Sequence, residues 1–190
     1  MVNKYTYLEM YLNEINKKIS LREFEKYFNK PHQTIKTHLQ QLVDEKILLV
    51  EKMDRFRFYS LNFKNNLLKE YLSICEKERL ILFLNRNILF KRLYEFIWKH
   101  LTKNKVLIFG SAVDTKEFND IDIFIISNDK KIRATIDEFM QTYSVKIHVV
   151  QSNEKNITSH FIKELKKKHI MLNEHDYFIE VLYKDELKMV

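Results

Sequence analysis

Helical periodicity dominates the first third of the chain. From Tyr5 to Ile19, the residues Tyr7, Leu8, Met10, Tyr11, Leu12, Ile15 and Ile19 recur at the spacing of one helix face and predict a first amphipathic helix. Ser20, with Glu23 three residues later, predicts a capping box opening a short second helix that carries Leu21, Phe24 and Phe28. Pro31 lacks an N–H that a first helical turn does not use, so it predicts the start of a third helix running to about Glu45, with Ile35, Leu39, Leu42 and Val43 as its buried stripe. The pattern then changes. Ile47 to Val50, a polar turn around Lys52 to Arg55, and Phe56 to Leu61 predict a two-stranded hairpin.

Beyond residue 63, Leu67, Leu68, Tyr71, Leu72 and Cys75 form one helical stripe, and the run from Leu80 through Leu89, Leu93, Phe96, Ile97 and Leu101 forms another. Both are too apolar for a free linker, so two packed helices are expected, with Phe90 and Trp98 as core residues. The rest of the chain alternates between the two periods. Lys105 to Phe109 predicts a short strand ending at Gly110, and Asp120 to Ile126 predicts a second. Ile132 to Tyr143 reads as a helix, Val145 to Val150 as a third strand, and Ile157 to Lys168 as a helix. His169 to Leu172 predicts a last short strand, and Asn173 a cap for a final helix from Glu174.

Composition narrows the setting. The chain of 190 residues is 45% hydrophobic, which suits two small cores and excludes a disordered polyampholyte. Its formal net charge of +7 favours a polyanionic partner. The single cysteine excludes an intramolecular disulfide and a thiolate-rich zinc site, so a reducing cytoplasm is expected. No apolar run is long enough to cross a bilayer, and the first residues lack a secretory core, so no membrane association is expected. Glycine and proline each occur once, and both mark a boundary: Pro31 where a helix begins, Gly110 where a strand ends.

On the third helix, the apolar stripe leaves Gln33, Lys36, Thr37, Gln40 and Gln41 on or near the outer face. Amides, a hydroxyl and a lysine in that arrangement suit base edges and phosphates in a major groove. Arg55 and Arg57 flank the hairpin tip. The runs Thr34 to Leu42, Asp44 to Leu48 and Arg57 to Asn62 resemble the recognition helix and wing of winged helix-turn-helix transcriptional regulators over about a third of the chain. Lys46 stands where that family commonly has a glycine before the first wing strand. The resemblance implies binding to double-stranded DNA through the seven residues just named, and a homodimer matched to two half-sites.

The second cluster is Gly110-Ser111, a loop of eight residues, then Asp120 and Asp122. A glycine permits close backbone approach, and the residues after it can offer N–H groups and the Ser111 hydroxyl to a phosphate. Strand alternation puts Asp120 and Asp122 on one face, opposite Ile121 and Ile123. Two adjacent carboxylates repel unless a cation sits between them, and Mg2+ with a nucleotide's phosphates is the simplest occupant. The order strand, Gly-Ser, loop, Asp-x-Asp strand resembles the minimal nucleotidyltransferase family of the DNA polymerase beta superfamily over roughly residues 88 to 187. That resemblance implies Mg2+-dependent transfer of a nucleoside monophosphate from a triphosphate, ATP first, with Ser111 holding phosphate and Asp120 and Asp122 holding metal.

The family's third carboxylate is not found on the next predicted strand, where Lys146 and His148 face outward. His148 is therefore the candidate base or ligand, and Asp114, Glu117 and Glu154 are possible substitutes for the missing acid.

The resulting expectation is an α+β chain with three parts. These are a winged helix-turn-helix over 1–64, a helical connector over 65–87, and a nucleotidyltransferase-like domain with a small mixed sheet over 88–190. Two functions compete, with a protein-interaction adaptor that uses neither nucleic acid nor nucleotide as a third reading. One is a DNA-binding regulator that binds Mg-nucleotide with transfer weak or lost; the other is an active transferase modifying a protein or RNA partner, as in toxin–antitoxin modules of this minimal fold.

Overall fold

The computed structural model describes residues 3–114 and 118–187. They form an α+β protein with two small sheets, one antiparallel and one mixed. The chain divides into two compact units: residues up to Cys75 together with those from Ile179 onward, and Glu76–Phe178.

In the first unit, the predicted helix from Tyr5 to Ile19 is replaced by a 3₁₀ helix over Lys4–Tyr11, an irregular stretch, and a two-residue strand β1, Ile19–Ser20. Ile19 pairs with Tyr59 in an antiparallel ladder, and this long-range pairing overrides the local helical period. The apolar residues of the stretch are buried all the same, with Tyr7, Leu8, Tyr11, Leu12 and Ile15 all in the core. Helix α1, Leu21–Phe28, opens on the capping box: Ser20 Oγ accepts the Glu23 N–H, and the Glu23 carboxylate accepts the Ser20 N–H at 2.7 Å. Its Phe24 packs edge-on against Tyr7 and Tyr59.

Helix α2, His32–Asp44, buries Ile35, Leu39 and Leu42, with Pro31 at its cap position. It ends with Lys46 in the left-handed region, φ 57°. The Ile47 N–H donates to the Leu42 carbonyl and the Lys46 N–H to that of Val43, which is a Schellman closure built on a lysine. The side chains of Asn62 and Asn65 both donate to the Lys46 carbonyl, at 2.8 and 3.0 Å, and hold the turn. Strands β2, Leu48–Met53, and β3, Phe56–Leu61, form the predicted hairpin, turning at Asp54-Arg55 with Asp54 at φ 53°.

Helix α3, Leu68–Leu84, begins in the first unit, where Leu68, Leu72 and Cys75 are buried, and continues in the second, where Leu80 and Phe83 are. The last helix, α7 over His175–Leu187, contributes Ile179, Leu182 and Tyr183 to the first unit, where the Tyr183 hydroxyl donates to the Leu12 carbonyl and Lys69 pairs with Glu180. The division thus falls elsewhere than the 64/65 and 87/88 boundaries read from the sequence. An apolar stripe reveals that a helix face is buried, and leaves open which core receives it.

The second unit holds helix α4, Ile88–His100, and the sheet of β4, Lys105–Phe109, β5, Ile121–Ile126, β6, Ile147–Ser152, and β7, His169–Met171, in the order β6-β5-β4-β7. Helices α5, Ile132–Tyr143, and α6, Ser159–Lys167, complete it. Strands β5 and β6 are parallel, and the other pairs are antiparallel. One face of the sheet, with Val106, Ile108, Ile121, Ile123 and Ile125, shares a core with Leu93 and Ile97 of α4 and Ile136 and Phe139 of α5. On the other face, Phe109 and Phe124 meet Phe161 of α6 edge-on. Phe90 is buried as expected. Trp98 is not: it is exposed on α4, since it lies one residue past Ile97, beyond the edge of the buried stripe.

Asn173 does not cap α7. Its side chain accepts the Val106 N–H and donates to the Asn104 carbonyl, both at 2.8 Å, tying the chain after β7 to the start of β4. Among the described residues, no helix is long and apolar enough to cross a membrane.

Candidate functional sites

On the first unit, the geometry follows from what the core leaves over. Because Ile35, Leu39 and Leu42 consume one face of α2, Gln33, Lys36, Thr37, Gln40 and Gln41 are all exposed, as are Arg55 and Arg57 on the hairpin. Two of these side chains are engaged within the helix: Thr37 Oγ1 donates to the Gln33 carbonyl at 2.9 Å, and the Gln40 amide to Asp44 at 2.8 Å. Lys36, Arg55 and Arg57 come together with Arg22 and His32 around one open cleft of about 400 Å³ between the starts of α1 and α2 and the hairpin. Arg22 was not among the residues singled out from the sequence, because its proximity to the hairpin depends on β1 pairing with β3. His32 pairs with Glu25, and His38 lies against the Tyr7 hydroxyl at 3.3 Å, so neither stands in a metal-ligand cluster.

On the second unit, strand register assembles the candidate residues. Phe109, the last residue of β4, pairs with Asp122 of β5, which puts Gly110 against the Asp122 carboxylate. Gly110 has φ +79°, and a Cβ built on it would lie 2.6 Å from Asp122 Oδ2. Only glycine satisfies both conditions. Ser111 follows, exposed, on a single 3₁₀ turn over Ser111–Val113. The parallel ladder puts His148 of β6 beside Asp122, with His148 Nδ1 3.4 Å from Asp120 Oδ2 and 3.5 Å from Asp122 Oδ1. The two aspartate side chains are each about 30% exposed, at 32% and 28%, so the site is open to solutes. A cleft of about 460 Å³ lined by Arg133, Asp137, Met140 and His148 runs beside it.

Of the possible substitutes for the third acid, the two among the described residues are engaged by lysines. Asp114 is paired with Lys168 at 2.9 Å. Glu154 lies past the end of β6 and pairs with Lys105 at the start of β4, at the opposite end of the sheet from Asp122. Glu117 lies outside the described residues.

Among the described residues, no three His, Cys, Asp or Glu side chains are arranged to hold a metal ion by themselves. Asp120 and Asp122 supply two oxygen donors with Gly110 leaving room behind one of them, which fits a single Mg2+ whose other ligands are phosphate and water oxygens. Among the described residues no third carboxylate joins them, so this donor set does not fit a second ion.

Beneath the loop lies a polar cluster that periodicity did not reveal. Glu76 of α3 is fully buried; its Oε1 accepts from Arg79 at 2.8 Å and lies 3.1 Å from His169 Nε2 on β7. Burial pushes the Glu76 carboxyl up, but Arg79 and then His169 outweigh it and hold the pKa at about 2. Arg79 also donates to the His169 carbonyl at 3.1 Å, and His169 Nδ1 lies 2.8 Å from the Leu165 carbonyl. Because His169 pairs with Phe109, and the Lys168 carbonyl accepts the Gly110 N–H at 3.3 Å, this cluster fixes the backbone on which the loop rests. Neighbouring His175 is buried, which lowers its pKa. The only sequence signal was a glutamate and an arginine three residues apart on a helix, a pattern that surface helices also carry.

Compared with protein-family models, with curated proteins and with solved structures, the chain finds no match in any of the three.

Proposed function

We propose that the protein is a DNA-binding transcriptional regulator whose second unit binds a Mg-nucleotide, with nucleotidyl transfer weak or lost. In this reading the first unit is a winged helix-turn-helix, α2 its recognition helix and β2-β3 its wing, and the second unit is a nucleotidyltransferase fold. The observation that carries it is the joint exposure of Gln33, Lys36, Thr37, Gln40 and Gln41 along one face of α2, beside Arg55 and Arg57. Lys36 and the arginines contact phosphates, while the amides reach base edges once Gln40 releases Asp44. Two half-sites read by a homodimer, in a cytoplasmic setting, complete the proposal.

For the second unit, the support is Gly110 seated against Asp122. Asp120 and Asp122 would hold Mg2+, which supplies charge neutralisation for the nucleotide's phosphates. Ser111, exposed on the turn that follows Gly110, and the backbone there would hold a phosphate, with ATP the first nucleotide to test. His148 beside both aspartates, in place of a carboxylate, supports binding over turnover, since an imidazole is a poor partner for Mg2+.

The deciding experiment has two arms. Fluorescence anisotropy with a labelled DNA duplex should show binding that falls steeply with salt and is lost in Lys36→Ala with Gln40→Ala. Titration calorimetry with MgATP should show binding that Asp120→Ala and Asp122→Ala abolish. Salt-insensitive or absent DNA binding overturns the first half, and MgATP binding indifferent to both aspartates overturns the second.

A second reading rests on one specific observation. His148 Nδ1 lies where it can take a proton from an acceptor hydroxyl approaching the aspartates, as an active Mg-dependent transferase of protein or RNA would need. Transfer of label from ATP to an acceptor, lost in His148→Ala, would establish it.

A further inference from the structure

We infer that the tip of the β2-β3 hairpin is an apolar wedge that enters the minor groove of duplex DNA and kinks it at a flexible base step. The inference rests on the DNA-binding reading and adds a mode of binding to it. Met53 and Phe56 are the last cross-strand pair before the Asp54-Arg55 turn, and they are 51% and 55% exposed. Neither contributes to the core of the first unit, which is complete without them. A thioether and a phenyl ring held side by side at the end of a ribbon make a small contiguous apolar patch that an occupant would cover.

The surroundings select that occupant. Lys52, Arg55 and Arg57 neighbour the pair along the hairpin, where Asp54 in the turn is the one carboxylate at the tip and Glu51 is paired with Lys18, and Phe56 shares its cleft with Arg22 and Lys36. The one acidic residue lining that cleft, Glu25, is paired with His32. The partner must therefore offer an apolar slot bordered closely by negative charge. A base step exposed in the minor groove between two phosphate strands has this character, and Phe and Met are among the side chains that wedge such steps open. Anionic lipid shares the charge and the apolar interior. It offers nothing, however, to the amides of Gln33, Gln40 and Gln41, whose donors and acceptors match base edges.

The wedge favours steps that unstack easily. Pyrimidine–purine steps do so and A-tracts do not. Phosphate contacts by the cations orient the hairpin, and insertion of Met53 and Phe56 then separates two base pairs and bends the helix away from the protein's tip, toward the major groove.

The test uses the full chain and two end-labelled 30-bp duplexes, one rich in TpA steps and one an A-tract, read by energy transfer between the ends. The wild-type protein should shorten the end-to-end distance of the TpA duplex and bind it at least about fivefold more tightly than the A-tract. Met53→Ala with Phe56→Ala should keep salt-dependent binding but lose both the bend and the preference, whereas Phe56→Leu should retain them. Both residues are exposed, so circular dichroism should be unchanged in the variants. Binding without a bend, or a bend that survives the double substitution, overturns the wedge while leaving the DNA-binding reading intact. Tighter binding to the unpaired strand overturns it in favour of base stacking, and loss of phosphatidylserine-vesicle binding in the double variant overturns it in favour of a membrane contact. Failure of the wild-type chain to bind any duplex at low salt overturns both.

Discussion

The two units carry their chemistry in opposite ways. On the first, the residues proposed to touch DNA are those the fold does not use: α2 spends Ile35, Leu39 and Leu42 on the core and leaves five polar side chains outward. On the second, the candidate site is made from positions the fold constrains most. Gly110 has no room for a Cβ, Asp122 is held by strand pairing on both sides, and the loop rests on a buried ionic cluster. The first surface can change its ligand without changing its stability. The second cannot change either alone.

Five measurements would break or sharpen that contrast. The largest effect is expected from Glu76→Ala, which leaves Arg79 and His169 buried without their carboxylate and should cost about 3–5 kcal/mol in urea unfolding of the second unit. A loss under about 1 kcal/mol would show the cluster to be dispensable. The same cluster sets an acid limit. Glu76 is held below its ordinary 4.5, so its contribution is complete above that value and is lost as pH falls toward about 2. His175, also lowered, favours the folded state above its ordinary 6.5 and loses that contribution as pH falls below it. The melting temperature should therefore decline in two stages on acidification, and Glu76→Gln should remove the lower one.

Next in size is Gly110→Ala, which combines a left-handed backbone with a Cβ 2.6 Å from Asp122 Oδ2. It should lower stability by about 1–3 kcal/mol and weaken MgATP binding at least about tenfold, by the arithmetic of about 1.4 kcal/mol per decade. Should binding persist, the carboxylate's position is not what matters. On the first unit, Lys36→Ala and Arg57→Ala should leave stability within about 0.5 kcal/mol, yet each should reduce the salt slope of DNA binding by about 1. The smallest effect is a gain. Lys46→Gly relieves a side chain held at φ 57° and should raise stability by about 0.5–1 kcal/mol, without altering affinity.

The sequence was legible where local rules act alone. The Ser20–Glu23 capping box, α1, α2, the hairpin, and the alternation that sets Asp122 apart from Ile121 and Ile123 are each decided within a few residues. It was not legible where distant partners intervene. Tyr5 to Ile19 reads as one helix until Tyr59 claims Ile19 for a sheet. Asn173 reads as a cap until the Val106 N–H claims its oxygen. Glu76 and His169 stand 93 positions apart, and no periodicity connects them. In the candidate site, Gly110, Asp120 and Asp122 were found by spacing and His148 by alternation, whereas Lys168, whose carbonyl and ammonium engage Gly110 and Asp114, read only as the end of a helix.

The return of α7 to the first unit bears on how the protein is made. A ribosome that has delivered everything up to Phe178 has completed the Glu76–Phe178 unit but not the unit whose residues precede it, which still lacks Ile179, Leu182, Tyr183 and the partner of Lys69. Domains ordinarily finish in the order in which they emerge. Here the first unit to start is the last to close, so a chain cut short in translation cannot release a finished copy of its N-terminal half.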